Sequence, residues 1–359
     1  MESANGVEPG TETGSSAGTW AAAQAPTGDF STASSHESEE GSSVPEWQQE
    51  VHSQPLVGGV ESLSSLLRDF EGNEALCRKT RAFIREQQRS DAGAHEGQLP
   101  TETTERIPSG PEAPGDEERG AGKESDGLWA MRRIRKDGCC FYRAYMYGLF
   151  LYFLRRPQLI RGFVARINDD LLPLIQQANG GAETVADFAE ETVESLEKLE
   201  APESDVATLD SIFNDMSSSN YIVVFARLLA STHLKLNSEM YLPFVTAYAT
   251  VEEYCSHEVD PMWVEAEQLQ ITALTAMTQM PVEIVYFDQS PGDEPTRHIF
   301  PQAKEADIHL IYRPGHYDIF FYSPVEKRQS ATAQSVVFLP MGSDAFPPRK
   351  SLSGCPADG

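Results

Sequence analysis

The spacing of apolar positions changes character several times along this 359-residue chain. Residues 1–59 are dominated by Gly, Ser, Thr, Pro and Glu with few aliphatic side chains. Such a stretch buries too little apolar surface to offset its ordering entropy, so it reads as a disordered acidic N-terminal segment. From Val60 to Gln88 the positions Leu63, Leu66, Leu67, Phe70, Leu76, Ala82 and Ile84 form an imperfect apolar stripe, which predicts a short helical region. Residues 89–127 return to acidic, Pro/Gly-rich chemistry between two patterned regions. They read as an insertion inside one domain spanning 60–322.

From Leu128 to Tyr322 the patterning is sustained. Ala144–Leu154 is an unbroken apolar run of helical character. Leu159, Phe163, Ile167 and Leu171 recur at four-residue steps, as one face of a helix does. Val185 to Leu199, Tyr221 to Leu236, Tyr241 to Tyr248, Val251 to Val259 and Ala266 to Met280 read as further helices, with residues 217–220 as caps of the second of these. Then the period changes. Val282–Phe287, Ile308–Tyr312 and Tyr317–Tyr322 are rich in β-branched and aromatic residues, and Pro314-Gly315 between the last two favours a tight reversal. Residues 323–359 read as a flexible C-terminal tail. Helices first and a mostly antiparallel sheet last define an α+β class.

The formal charge of −27 excludes nucleic acid as the main partner, because phosphate binding requires a basic surface. Much of that charge lies early, with 24 acidic against 9 basic residues up to position 128. The apolar run at 144–154 is too short for a bilayer, which needs about 20 residues, so no membrane association is expected. Cysteines 77, 139, 140, 255 and 355 form an odd set with no CxxC pair and no Cys/His cluster of zinc-binding spacing. They predict free thiols in a reducing compartment, no structural metal and no cofactor.

Two short segments carry the candidate chemistry. In Asp137-Gly138-Cys139-Cys140-Phe141-Tyr142-Arg143, Cys140 opens a helix, where unpaired N–H groups and the helix dipole favour thiolate. Gly138 allows a sharp turn that aims a backbone N–H at an oxyanion. In Arg313-Pro314-Gly315-His316-Tyr317-Asp318, residues two apart on a strand share a face, which sets His316 beside Asp318. A carboxylate that orients an imidazole is the base half of a thiol-hydrolase triad.

The first segment resembles the Asp-Gly-Asn-Cys-Phe-Tyr-Arg motif of otubains, the ovarian-tumour-type cysteine deubiquitinases. Tyr312 to Ile319 resembles their C-terminal histidine motif, and Tyr221–Ser231, Val259–Met262 and His298–Pro301 resemble further otubain segments in the same order. The resemblance implies a papain-like α+β fold that cleaves isopeptide bonds after the C-terminal glycine of ubiquitin. It places Cys140 as nucleophile, His316 as general base and Asp318 as the carboxylate orienting it. Asp137 and the Cys140 amide fall at the oxyanion site. The implied partners are ubiquitin and polyubiquitin chains; the free cysteines point to the cytoplasm, with the nucleus as an alternative location. An alternative reading is a non-catalytic docking module for ubiquitin or ubiquitin-conjugating enzymes. One position departs from the motif: Cys139 replaces asparagine, a change that removes an amide donor and creates a vicinal thiol pair.

Overall fold

A computed structural model of the chain describes residues 50–93 and 127–324, with residues 52, 182 and 304 excepted. The disorder expected for most of the N-terminal segment, most of the insertion and the tail falls outside those residues. Within them, strand β1 (Val57–Ser62), the short helix α1 (Leu66–Asp69) and helix α2 (Glu74–Gly93) precede strand β2 (Gly127–Ile134). Then come α3 (Cys140–Arg155), α4 (Ile160–Arg166), α5 (Leu172–Ala178), α6 (Val185–Lys198), α7 (Val206–Asn214), α8 (Met216–Leu236) and α9 (Gln268–Thr278). Strands β3 (Val282–Tyr286), β4 (Thr296–Phe300), β5 (Ile308–Arg313) and β6 (His316–Pro324) follow.

The six strands form one sheet in the order β1-β2-β6-β5-β3-β4. All neighbours pair antiparallel except β3 and β5, which run parallel. The mixed α+β class therefore holds, but the expectation that helices come first is corrected: β1 and β2 precede the helical region, β1 pairing with β2 and β2 with the last strand, β6. Both were hidden for physical reasons. β1 is an edge strand containing Gly58 and Gly59, and it buries little beyond Val57. β2 carries arginines where a strand pattern would show aliphatics. Arg132 is buried only because its guanidinium bonds the Gly58 carbonyl at 2.7 Å and the Asp210 carboxylate at 2.8 Å. The ordered chain thus extends upstream of residue 60, and the helix expected from Val60 is replaced by β1, a 3-10 turn, α1 and α2. α2 runs to Gly93, past the expected start of the insertion.

Alternation along the strands explains how the sheet is used. Ala130, Ile284, Leu310, Ile319 and Phe321 point into the main core with α3. Their neighbours Met131, Val285, Ile311 and Phe320 point the other way, into a second core built with Leu63, Leu66, Phe70 and Phe83. Residues 63–83 therefore roof the sheet's second face. α3 is buried along its whole length from Cys140 to Phe153, consistent with a run that is apolar on all sides. Gly148 lets it approach the sheet: a Cβ there would lie 2.6 Å from Ile308 Cγ2. α8 packs against α3, α6 and α9. Its cap is Asp215, which accepts the Ser218 amide at 2.8 Å, so Ser217 to Asn220 sit inside the first turn rather than before it. The helix expected at 241–248 ends in a 3-10 turn at Leu242–Phe244, and the one at 251–259 becomes a single turn followed by a π-helical turn at Cys255–Val259. No described helix is long and apolar enough to cross a membrane.

Candidate active site

The β2–α3 connection and the β5–β6 turn meet at one end of the sheet. In the first, Gly138 adopts φ +75°, and a Cβ there would lie 2.1 Å from the Trp263 carbonyl oxygen. Only glycine fits. Asp137 Oδ1 accepts the Cys139 amide at 3.0 Å, while Arg143 Nη1 donates to both carboxylate oxygens at 3.0 and 2.8 Å. Arg135 Nε adds a third contact at 3.2 Å. The Asp137 side chain is therefore fully engaged in fixing the turn and does not itself reach into an open site. The Cys140 amide, at the first position of α3, takes no backbone acceptor among the described residues. It remains available as an oxyanion donor.

Cys140 is 3% exposed. Its sulfur accepts the backbone N–H of Tyr317, the residue directly after His316. Burial pushes the thiol up to about 12, despite the Tyr317 hydrogen bond that opposes it, and the negative charges of Asp137 and Glu265 push the same way. Burial thus works against the helix start, which favours the thiolate. Ionisation requires a base to take the proton.

That base has its free edge in place. His316 opens β6, and its Nε2–H donates to Asp318 Oδ1 at 2.9 Å. Asp318 is fully buried. Burial alone would raise its carboxyl, but the hydrogen bond from His316, the Arg313 guanidinium and the Ile134 amide at 2.9 Å hold it below the usual carboxylate range. An ionised carboxylate only accepts, so Nε2 carries the proton and Nδ1 is left as the acceptor. His316 Nδ1 is buried without a hydrogen-bond partner among the described residues. Buried polar atoms are rarely left in that state, and an unpaired basic nitrogen next to the nucleophile's own contact residue suits proton abstraction.

Residues 261–267 link the two halves. Trp263, at φ +71°, lays its carbonyl on Gly138, and Glu265 Oε1 lies 3.6 Å from where a Gly315 Cβ would stand. Cys139 belongs to this contact. Its sulfur, completely buried, accepts the Trp263 amide at 3.4 Å and Arg227 Nη2 at 3.5 Å. Arg227 also bonds the carbonyls of Gly138, Val259 and Val264. An open cavity of about 710 Å³ adjoins the site, lined in part by Tyr248, Glu258, Val264, Glu265, Tyr312 and Tyr317. Sequence reasoning singled out Cys140, His316, Asp318 and Asp137 as candidates. It missed Arg227, Glu265 and the arginines around Asp318, whose partners lie far away in the chain.

A thiol at a helix start, an imidazole opening an adjacent strand and a buried carboxylate behind it form the arrangement of a papain-like thiol hydrolase. Comparison with known proteins agrees. The model of the peptidase C65 otubain family matches residues 122–322, and the chain belongs to that family. It is 35% identical over 195 residues to the human ubiquitin thioesterase OTUB1, covering 53% of this chain and 70% of that one. Identity to a Caenorhabditis elegans otubain-like ubiquitin thioesterase is 35% over 210 residues (57% and 72% of the two chains). For human ubiquitin thioesterase OTUB2 it is 31% over 195 residues (54% and 81%). A solved structure described as h/ceOTUB1–ubiquitin aldehyde–UBC13~Ub superposes with a TM-score of 0.59 at 28% identity, covering 77% of this chain and 94% of that one.

Proposed function

We propose that the protein is a thiol-dependent deubiquitinase that hydrolyses the isopeptide bond after the C-terminal glycine of ubiquitin. The observation that carries this reading is the buried Nδ1 of His316, without a hydrogen-bond partner among the described residues, on the residue next to Tyr317, whose amide serves the Cys140 thiol. Nδ1 takes the Cys140 proton as the sulfur attacks the glycine carbonyl. The Cys140 amide stabilises the oxyanion. The imidazolium, steadied by Asp318, then protonates the departing lysine amine, leaving a ubiquitin thioester on Cys140. Water enters, gives its proton to Nδ1, and displaces the thiolate. Asp137 serves this sequence by holding the turn.

The cavity offers the substrate a path. Carboxylates of Glu258, Glu265 and Glu267 line it, suited to the arginine of a Leu-Arg-Gly-Gly tail. Four described cysteines are free, which fits the reducing cytoplasm or nucleus as its location.

The test is a ubiquitin probe with a C-terminal electrophile. Under reducing conditions, wild type is expected to form one adduct and Cys140→Ala none; a wild type that forms no adduct sinks the proposal. A second reading, docking to ubiquitin-conjugating enzymes, has one observation in its favour: similar solved structures are described as complexes with UBC13~Ub and UBCH5B~Ub. If a Cys140→Ala protein keeps the full cellular effect, docking is the better account.

A further inference from the structure

The carboxylate behind the base is itself gripped from the far side. Asp318 Oδ1 serves His316 and the Ile134 amide. Its other oxygen, Oδ2, accepts from Arg313 Nη2 and lies 3.3 Å from Arg133 Nη1. Two guanidinium groups on one buried carboxylate would cancel much of the charge that steadies an imidazolium. They are balanced by one more residue. Asp69, at the end of α1, places Oδ2 2.5 Å from Arg133 Nη1 and 2.6 Å from Arg313 Nη1. These side chains are 18–25% exposed, so their interactions are only partly screened.

We propose that Asp69 is a positioning residue of the Cys140–His316 pair: by bridging Arg133 and Arg313 it fixes both arginines on Asp318 and restores the negative charge that His316 feels. Asp69 lies outside the residues 122–322 matched by the family model, in the segment that roofs the sheet. The inference rests on the catalytic reading above. The other charged groups facing the pair are Glu61, 3.4 Å from Arg133 Nε, and on the sulfur's side Asp137 and Glu265. Burial lowers the Arg133 guanidinium, but Asp69 and Asp318 override that and keep it firmly charged, so the cluster acts as a fixed set of charges.

The sign of the effect follows. Asp69→Asn keeps an oxygen for the arginines but leaves one net positive charge more, which favours proton loss everywhere nearby. The pH dependence of Cys140 reactivity then moves to lower pH. Arg313→Gln removes a positive charge and moves it to higher pH. A shift of about half a pH unit each way is expected at this range and exposure.

The experiment measures, on the full chain, the pH dependence of Cys140 alkylation by iodoacetamide, corrected with Cys140→Ala, and of kcat/KM on a ubiquitin substrate. Opposite shifts in Asp69→Asn and Arg313→Gln support the proposal, and Asp69→Glu is expected to restore the wild-type profile. Two variants that only lower the height of the profile, or shift it in one direction, overturn it and leave Asp69 a structural residue. Alkylation needs no ubiquitin. A pair whose profile responds to Asp69 in a protein that never forms the ubiquitin adduct would overturn the proposed function and leave this inference standing.

Discussion

The sulfur of Cys140 accepts the backbone N–H of Tyr317, so the candidate nucleophile is fastened to the strand that begins with its base. This contact links the two segments, while the Nδ1 of His316 has no hydrogen-bond partner among the described residues. The resting thiol is un-ionised.

Neutral buried thiols give stability a pH dependence. Cys140 and Cys255 are both pushed up to about 12, chiefly by burial. Their folded values exceed the unfolded value of about 8.5, so the stability they contribute is present below that pH and is lost as pH rises toward 12. Between pH 8 and 9.5 each is expected to remove about 1 kcal/mol. Urea denaturation at the two pH values measures the loss, and Cys140→Ser should roughly halve it. An undiminished loss in that variant contradicts the assignment.

Asp137 is expected to behave as an anchor. Asp137→Ala leaves the buried guanidinium groups of Arg143 and Arg135 without their carboxylate. A loss of about 3–5 kcal/mol is expected, with activity falling in step. A variant of wild-type stability that is catalytically dead would instead assign the carboxylate a direct chemical role.

Gly138→Ala combines positive φ with a Cβ placed 2.1 Å from a carbonyl oxygen. The backbone must move, at a cost of about 2 kcal/mol or more, and the Cys140 amide moves with it. Probe labelling should fall at least tenfold while the folded spectrum survives at low temperature. Unimpaired labelling would show that the turn is not needed in this shape.

What is legible in the sequence is local pairing. Cys140 and Asp137 share one turn, and His316 and Asp318 share one strand face, so spacing alone sets each pair. Legibility ends where stabilisation comes from far away. β2 looked unlike a strand because Arg132 and Arg133 are neutralised by Asp210, Asp69 and Glu61 from other elements. β4 escaped notice because Thr296, Arg297 and His298 are largely exposed edge residues. The thiol's neutrality was equally hidden, since a helix start is visible in sequence whereas the degree of burial is not.

Cys139 stands where related motifs have asparagine, and its sulfur receives two buried donors. Cys139→Ala leaves the Trp263 amide unsatisfied and should cost about 1–3 kcal/mol. Cys139→Asn supplies an oxygen to the same donors and should hold turnover within a few-fold of wild type. A gain of two orders of magnitude would instead mark the native cysteine as a brake on the enzyme.

The roof formed by residues 63–83 has a practical meaning for anyone trimming this protein. The family-model match starts at residue 122, and a fragment cut there would retain Cys140, His316 and Asp318. It would also bare Met131, Val285, Ile311 and Phe320 and turn β2 into a naked margin. Such a piece invites strand-to-strand self-association, so a fragment meant to stay in solution is expected to begin before β1, well upstream of where the family-model match does.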